Sequence, residues 1–308
     1  MFERAVNRAV SSDRLRHRVQ STPGSRDIVD RFVAGETLEE ELAALRDLHS
    51  KGLGGLIESL ADRALDREAA DASTREWVWV VQQLAEGGLA GAVELSVRPR
   101  CVGLGIPDGD AVALDNLASI CGAAREAGTR VTLDMEDHTV TEQTLLLAEA
   151  LRPDFTDIGV AVQAALLRTP ADLVDLNHEG VRVRLCKGSY AEPASVGHTH
   201  RHEIDQAFVD LLKALMEGPA YPMVATHDPR LVAIADELAV RNGRGSDEFE
   251  FQMMYGIRPL EQRRLVDLGR QVRVYVPYGS GWYSYFLHRL ADRPRNVAFF
   301  LRSLTGRR

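Results

Sequence analysis

The chain has 308 residues, 45% of them hydrophobic and 27% charged, which is enough apolar content for one large core or two ordinary ones. A formal net charge of -8 with scattered Lys and Arg excludes nucleic acid as the main partner, because phosphate binding needs clustered basic residues. Three cysteines without CxxC spacing exclude a disulfide scaffold and suit a reducing compartment, where Cys101, Cys121 and Cys186 act as small buried hydrophobes.

The first nineteen residues mix acidic and basic side chains and lack the apolar core of a signal peptide, so a cytoplasmic location is expected. No stretch approaches the roughly 18 apolar residues of a membrane span; the expectation is no integral membrane segment, with a peripheral contact at the inner face of the membrane left open. Helical spacing then marks residues 1–50 as a lead-in, with one apolar cluster at Val29, Phe32 and Val33 and another at Leu38, Leu42, Leu45 and Leu48. Beyond it, strand runs occur at 91–97, 130–135, 157–163, 181–186, 222–226, 248–253 and 272–276, with a weaker one in LGGLIESL. Helical patterns such as TEQTLLLAEALR, EIDQAFVDLLKALMEG and PRLVAIADELAV separate them, several opened by Thr or Pro and closed by Gly.

About eight strands alternating with helices predict an α/β chain, a (β/α)8 TIM-type barrel over 51–308 preceded by N-terminal helices over 1–50 that pack on it. A doubly wound open sheet gives the same alternation. Neither GxGxxG nor GxxxxGKS/T follows the first strand, and GLGIPDGD has the wrong spacing, which favours the barrel. Without a repeat or a long linker, one barrel domain is the economical reading.

Asp134, Gln163, Arg184, Lys187, Thr226 and Tyr275 each fall at or just past the end of a strand run. In a parallel barrel all strand carboxyl ends open on one face, so these residues should line one polar pocket. A carboxylate at Asp134 turned into the barrel needs a cation, and Arg98 and Arg184 are the nearest candidates. Arg184 and Lys187 flank a strand end in VRLCKGSY and suit either an anion or neighbouring carboxylates, whereas Glu136 and Asp137 read as solvated loop charges. HTHRH at 198–202, with His138, raises a metal-dependent barrel hydrolase, but these histidines follow a Pro and Gly loop and read as solvent-facing; no metal site is assigned.

The segments VRLCKGSYAEPASV, YPMVATHDPRL, EFEFQMMYGIRP and VRVYVPYGSGWYSYFLHRLADRPRNVAFFL closely resemble the proline dehydrogenase family in its short monofunctional bacterial form. VTLDMEDHTVTEQTL and DIGVAVQAALLRT extend the resemblance over nearly the whole chain. It implies an FAD-dependent barrel that takes a hydride from the carbon beside the proline nitrogen, yields 1-pyrroline-5-carboxylate and passes the electrons to a quinone or other acceptor. It further implies that Arg184 lies near the flavin reactive nitrogen, and that Met135, Gln163, Lys187, Gly188, Ser189, Thr226, His227 and Asp292 hold the cofactor. Asp134 would orient the cationic side of the site, Tyr275 and Tyr285 would wall the substrate ring, and Arg98, His288 and Arg289 would take the substrate carboxylate.

Five positions, in four segments, depart from the family pattern. His288 stands where the family has the first Arg of a pair, Arg98 where it has Lys, Ala165 and Leu167 where it favours Tyr and Arg, and Ser189 where Ala is commoner. The changes in three of these four segments would alter the shape or charge of the pocket and its rim, with Ala165 and His288 making room for a different substrate. A histidine also lacks the planar fork that matches a carboxylate, so a relative oxidising another cyclic or secondary amine, and a flavin-binding pseudoenzyme, stand as alternatives to proline oxidation.

Overall fold

A computed structural model describes residues 33–35, 37–279, 281 and 283. Eight parallel strands close in sequence order: β1 (Gly54–Ser59), β2 (Val93–Val97), β3 (Val131–Leu133), β4 (Gly159–Gln163), β5 (Arg182–Cys186), β6 (Tyr221–Ala225), β7 (Glu250–Met254) and β8 (Val272–Tyr278). Closure runs from Gly54 opposite Arg273 to Ser59 opposite Tyr278. The weak LGGLIESL run is thus a full strand, and the TIM-type barrel expected from the alternation is the fold.

The helices are α1 (Leu38–Ser50), α2 (Arg67–Glu86), α3 (Gly109–Ala127), α4 (Thr141–Leu151), α5 (Thr169–His178), α6 (Arg201–Glu217), α7 (Pro229–Arg241) and α8 (Pro259–Asp267). Helices α2 and α5 were not among the patterns singled out in the sequence; α2 hides its stripe because Thr74 sits among its buried residues, bonding back to the Ala70 carbonyl at 2.9 Å. Helix α1 starts at a capping box, in which the Thr37 hydroxyl accepts the Glu40 N–H and the Glu40 carboxylate accepts the Thr37 N–H. It packs on β1 and β8, burying Leu38, Leu42, Leu45 and Leu48. Gly55 permits that approach, because a Cβ there would lie 2.4 Å from Leu45 Cδ2.

Register explains why the strands carry alternating sequences. One set of alternate residues, Ile57, Leu95, Val131, Leu133, Val160, Val183, Leu185, Val224, Phe251 and Val274, is apolar, buried and part of the core under the helices. The other set, related to one another by the strand pairing, carries Glu58, Glu94, Ser96, Thr132, Gln163, Arg182, Arg184, Glu250, Gln252, Arg273 and Tyr275. A barrel interior this polar must satisfy itself by pairing. Near the strand amino ends it does so with ions: Arg182 meets Glu94 at 2.8 Å, and Arg273 meets Glu94 and Glu250 at 3.1 Å each. That closed ionic layer leaves the opposite end of the barrel as the open one.

Candidate active site

At the carboxyl ends of the strands lies a cavity of about 750 Å³, lined by residues of β1, β5, β6, β7 and β8, by the segments that follow β2, β3, β5 and β6, and by the first residues of α6 and α7. Asp134, Met135, Arg184, Lys187, Gly188, Ser189, Thr226, His227, Arg98 and Tyr275, all singled out in the sequence, lie on its wall. Gln163 lies behind it, buried, in a narrower space with Met135 and Glu136. Tyr285, His288, Arg289 and Asp292, like the first apolar cluster up to Phe32, lie outside the described residues.

The centre of the cavity is one network. Asp134 Oδ2 accepts from the Tyr275 hydroxyl at 2.7 Å and from Ser96 Oγ at 3.0 Å, and Oδ1 accepts from Arg184 Nη1 at 3.2 Å and from the Met135 N–H at 2.9 Å. Arg184 is 4% exposed, and its Nη1 also donates to Ser96 Oγ at 2.8 Å. Its Nε and Nη2 are buried without a hydrogen-bond partner among the described residues. Two unfilled donors on a buried cation are costly unless something else fills them. Burial, and after it the Asp134 charge, pushes the Tyr275 hydroxyl well above its ordinary pKa, so it stays protonated and donates. Burial, helped by Asp134, pushes the Cys186 thiol up to about 12, which keeps it neutral and inert on the wall.

The second candidate cation for Asp134 is engaged elsewhere. Arg98 Nη2 donates to the carbonyls of Ser59 at 3.0 Å and Ala61 at 2.6 Å, and its Nε lies 3.4 Å from Glu58. Burial works against the Arg98 charge, but the surrounding anionic groups, Glu58 among them, hold its pKa above the ordinary value. Arg98 thus braces the chain after β1 while lining the cavity.

At the rim, Lys187 pairs with Asp205 and lies 3.5 Å from Asp228. Asp228 also accepts from Arg230, whose bonds, with Lys187, hold its carboxyl far below the usual range. The Thr226 hydroxyl accepts the Asp228 N–H at 3.2 Å, and His227 Nε2 accepts the Met254 N–H at 2.8 Å, which places the ring proton on Nδ1 when the imidazole is neutral. Gly188 holds φ +102°, and a Cβ there would come 2.9 Å from Gln163 Oε1 and 3.0 Å from Ala165 Cβ. Gln163 donates to the Glu136 carbonyl at 2.8 Å, while its Oε1 is buried with no partner among the described residues.

Three sequence expectations need correction. Glu136 is buried rather than solvated, accepting the Arg100 N–H at 3.0 Å; burial raises its pKa against that bond. Asp137 is half-buried and holds Arg100 at 2.5 Å, and against the opposing effect of burial the Arg100 and Thr139 bonds bring its pKa down to about 2. Ala165 and Leu167 do not shape the cavity: Ala165 is buried behind Gly188, and Leu167 is exposed on the outside. The histidines of HTHRH do not converge with His138, which binds Glu192, while His200 and His202 stack on each other at 5.7 Å.

Ser96, Glu58, Gln252 and Tyr190 belong to the site and were not singled out in the sequence. The alternation in VELSV, with Glu94 and Ser96 between apolar residues, was the available signal for Ser96. Glu58 sat in the weakest strand run, and nothing local marks Tyr190.

A closed parallel barrel with a buried ionic cluster and an open polar cavity at the strand carboxyl ends is a (β/α)8 fold of the enzyme type. The profile of the family described as proline dehydrogenase matches residues 42–291. Proline dehydrogenase 1 of Bacillus subtilis is 36% identical over 281 residues, covering 91% of this chain and 92% of the relative. Proline dehydrogenase of Deinococcus radiodurans is 35% identical over 283 residues, covering 90% of each. Among solved structures, proline utilization A from Bdellovibrio bacteriovorus inactivated by N-propargylglycine superposes with a TM-score of 0.82 at 23% identity, over 92% of this chain and 34% of the other. The chain spans about a third of that longer protein. It belongs to the proline dehydrogenase family.

Proposed function

We propose that this protein is an FAD-dependent proline dehydrogenase, oxidising proline to 1-pyrroline-5-carboxylate. The observation that carries the reading is the buried Asp134, Ser96, Arg184 and Tyr275 network on the cavity wall, with Arg184 Nε and Nη2 left without a partner among the described residues, in a chain 36% identical to a protein named proline dehydrogenase.

The residues present fit a flavin. The unfilled Arg184 donors suit the acceptor edge of a heterocycle, the buried Gln163 Oε1 suits a ring N–H, and Gly188 keeps the backbone bare where a Cβ would crowd Gln163. Lys187, Thr226 and His227, with Met135 and Ser189, line the surface on which the ring, its chain and its phosphates would rest. When bound, FAD supplies the two-electron oxidation by taking a hydride at N5.

The protein's own residues do the rest. Asp134 holds Arg184 in place by a bond to Nη1, and Arg184 keeps positive charge beside the reacting atoms, where negative charge grows as electrons arrive. Tyr275, protonated and fixed on Asp134, gives the substrate a rigid wall. As the hydride leaves the ring carbon, the nitrogen lone pair forms the C=N bond, and the nitrogen proton passes to solvent. On this reading Tyr285, His288 and Arg289 take the substrate ring and carboxylate, and Asp292 holds the cofactor. The substrate is a small amino acid and the electrons go on to a quinone or other acceptor. The location is cytoplasmic; among the described residues no helix is long and apolar enough to cross a membrane.

An anaerobic absorbance titration of the purified protein tests this. Bleaching of an oxidised flavin spectrum by proline is the expected result; a colourless protein, or one bleached only by a different amine, would overturn the cofactor or the substrate assignment respectively.

A further inference from the structure

The long loop after β5 carries Ser189 and Tyr190 over the cavity, and its two ends are fastened by backbone bonds. At its start the Ala165 N–H donates to the Lys187 carbonyl at 2.9 Å. At its far end Leu166 bridges to Gly197, with the Leu167 N–H on the Val196 carbonyl at 2.9 Å and the His198 N–H on the Ala165 carbonyl at 2.8 Å. Between these ends residues 189–195 are mostly exposed, and the exception is the side chain of Glu192, 4% exposed. Its Oε2 lies 2.5 Å from His138 Nδ1, and its Oε1 accepts the His138 backbone N–H at 3.0 Å.

His138 is four residues past Asp134, on the loop that carries Met135 and Glu136. That loop is already fixed to the barrel through Gln163 and Arg100. A two-point bond to both ring and backbone therefore ties the middle of an exposed loop to one anchored on the barrel. Tyr190 lies two residues before this tie and Asp134 four before the other half, and both line the cavity.

We propose that His138 and Glu192 are positioning residues for the substrate pocket: their pairing holds the loop bearing Ser189 and Tyr190 down against the loop bearing Asp134, and so sets the distance across the cavity between Tyr190 and Asp134. The proposal rests on reading this cavity as the substrate site. Neither side chain touches the reacting atoms, so the consequence is a looser fit to substrate rather than a change of chemistry.

The test uses the FAD-loaded protein with His138→Leu, Glu192→Gln and the double variant, alongside His138→Asn, whose carboxamide places an N–H near the position of Nδ1. Expected is a KM for proline raised about three- to tenfold with kcat within about twofold, a double variant no worse than the worse single one, and partial recovery in His138→Asn. Hydrogen exchange of the protein, with or without flavin, should quicken across residues 188–196 in the Leu and Gln variants. Unchanged KM and unchanged exchange in variants that fold and load flavin normally would overturn the tie, as would effects of the two substitutions that simply multiply. If parent protein binds no flavin or leaves proline untouched, the functional reading fails, and exchange alone then decides whether the tie exists.

Discussion

Asp134 and Arg184 lie 50 residues apart in the chain and 3.2 Å apart inside the barrel, and each is the other's opposite charge in a buried site. Ser96 bonds to both, and Tyr275 bonds to the carboxylate from the far side of the barrel. Strands β2, β5 and β8 and the turn after β3 thus meet at one carboxylate.

Replacing Asp134 by Asn removes the charge while keeping the shape. Loss of preorganised charge of this kind lowers kcat/KM by about 100-fold or more. Leaving Arg184 buried beside a neutral partner also destabilises the fold, by up to about 3–5 kcal/mol. Steady-state oxidation of proline and thermal unfolding measure the two effects. Activity within threefold of the parent would remove Asp134 from the site.

Tyr275→Phe deletes one hydroxyl and one hydrogen bond. Its stability effect should be small, about 1 kcal/mol, with flavin content unchanged. The expected kinetic result is a several-fold rise in KM for proline, because the wall is no longer fastened to Asp134. An increase in flavin loss with unaltered KM would place Tyr275 on the cofactor instead.

Gly188→Ala puts a methyl group into a left-handed backbone position against Gln163 and Ala165. Strain of this type amounts to about 1–3 kcal/mol. Since Lys187 and Ser189 flank it on the cavity wall, the expected outcome is a lower flavin-to-protein ratio after purification. Full flavin occupancy with parent kinetics would show that the backbone here keeps clear of the cofactor.

Glu41 in α1 is fully buried, and neither carboxylate oxygen has a partner among the described residues. Burial, with Glu58 adding to it, raises its pKa well above the ordinary carboxylate value. The folded protein therefore holds a proton that the unfolded chain releases between the two pKa values, so stability is full below the unfolded pKa and declines as pH rises through that window. Glu41→Gln should raise the melting temperature by about a few degrees at neutral pH, and the gain should vanish toward pH 4. A pH-independent difference, or a loss, would contradict a buried, strained carboxylate.

Much of this molecule was legible before folding because a barrel strand has a strict two-residue period. Val, Ile and Leu at one set of alternating positions and charged or polar groups at the other marked seven strands and put Asp134, Arg184, Lys187, Thr226 and Tyr275 at strand ends. Parallel closure carried those ends to one face, and the family resemblance followed from the same segments. Helices α2 and α5 were less visible, since a polar residue such as Thr74 can sit in a buried face once its hydroxyl bonds within the helix.

Partnership is what the tertiary structure alone decided. Asp134 had two candidate cations in the sequence, and the fold gave it Arg184 while fixing Arg98 on Glu58 and two carbonyls. Glu136 looked solvated and is buried, Ala165 looked like a pocket residue and lies behind Gly188, and His138 looked like a loop histidine and holds Glu192. Local pattern determines which face of an element a residue occupies, because backbone geometry repeats along the chain. Which charge meets which depends on distances of a few ångströms between segments tens of residues apart, and only the closed barrel sets those.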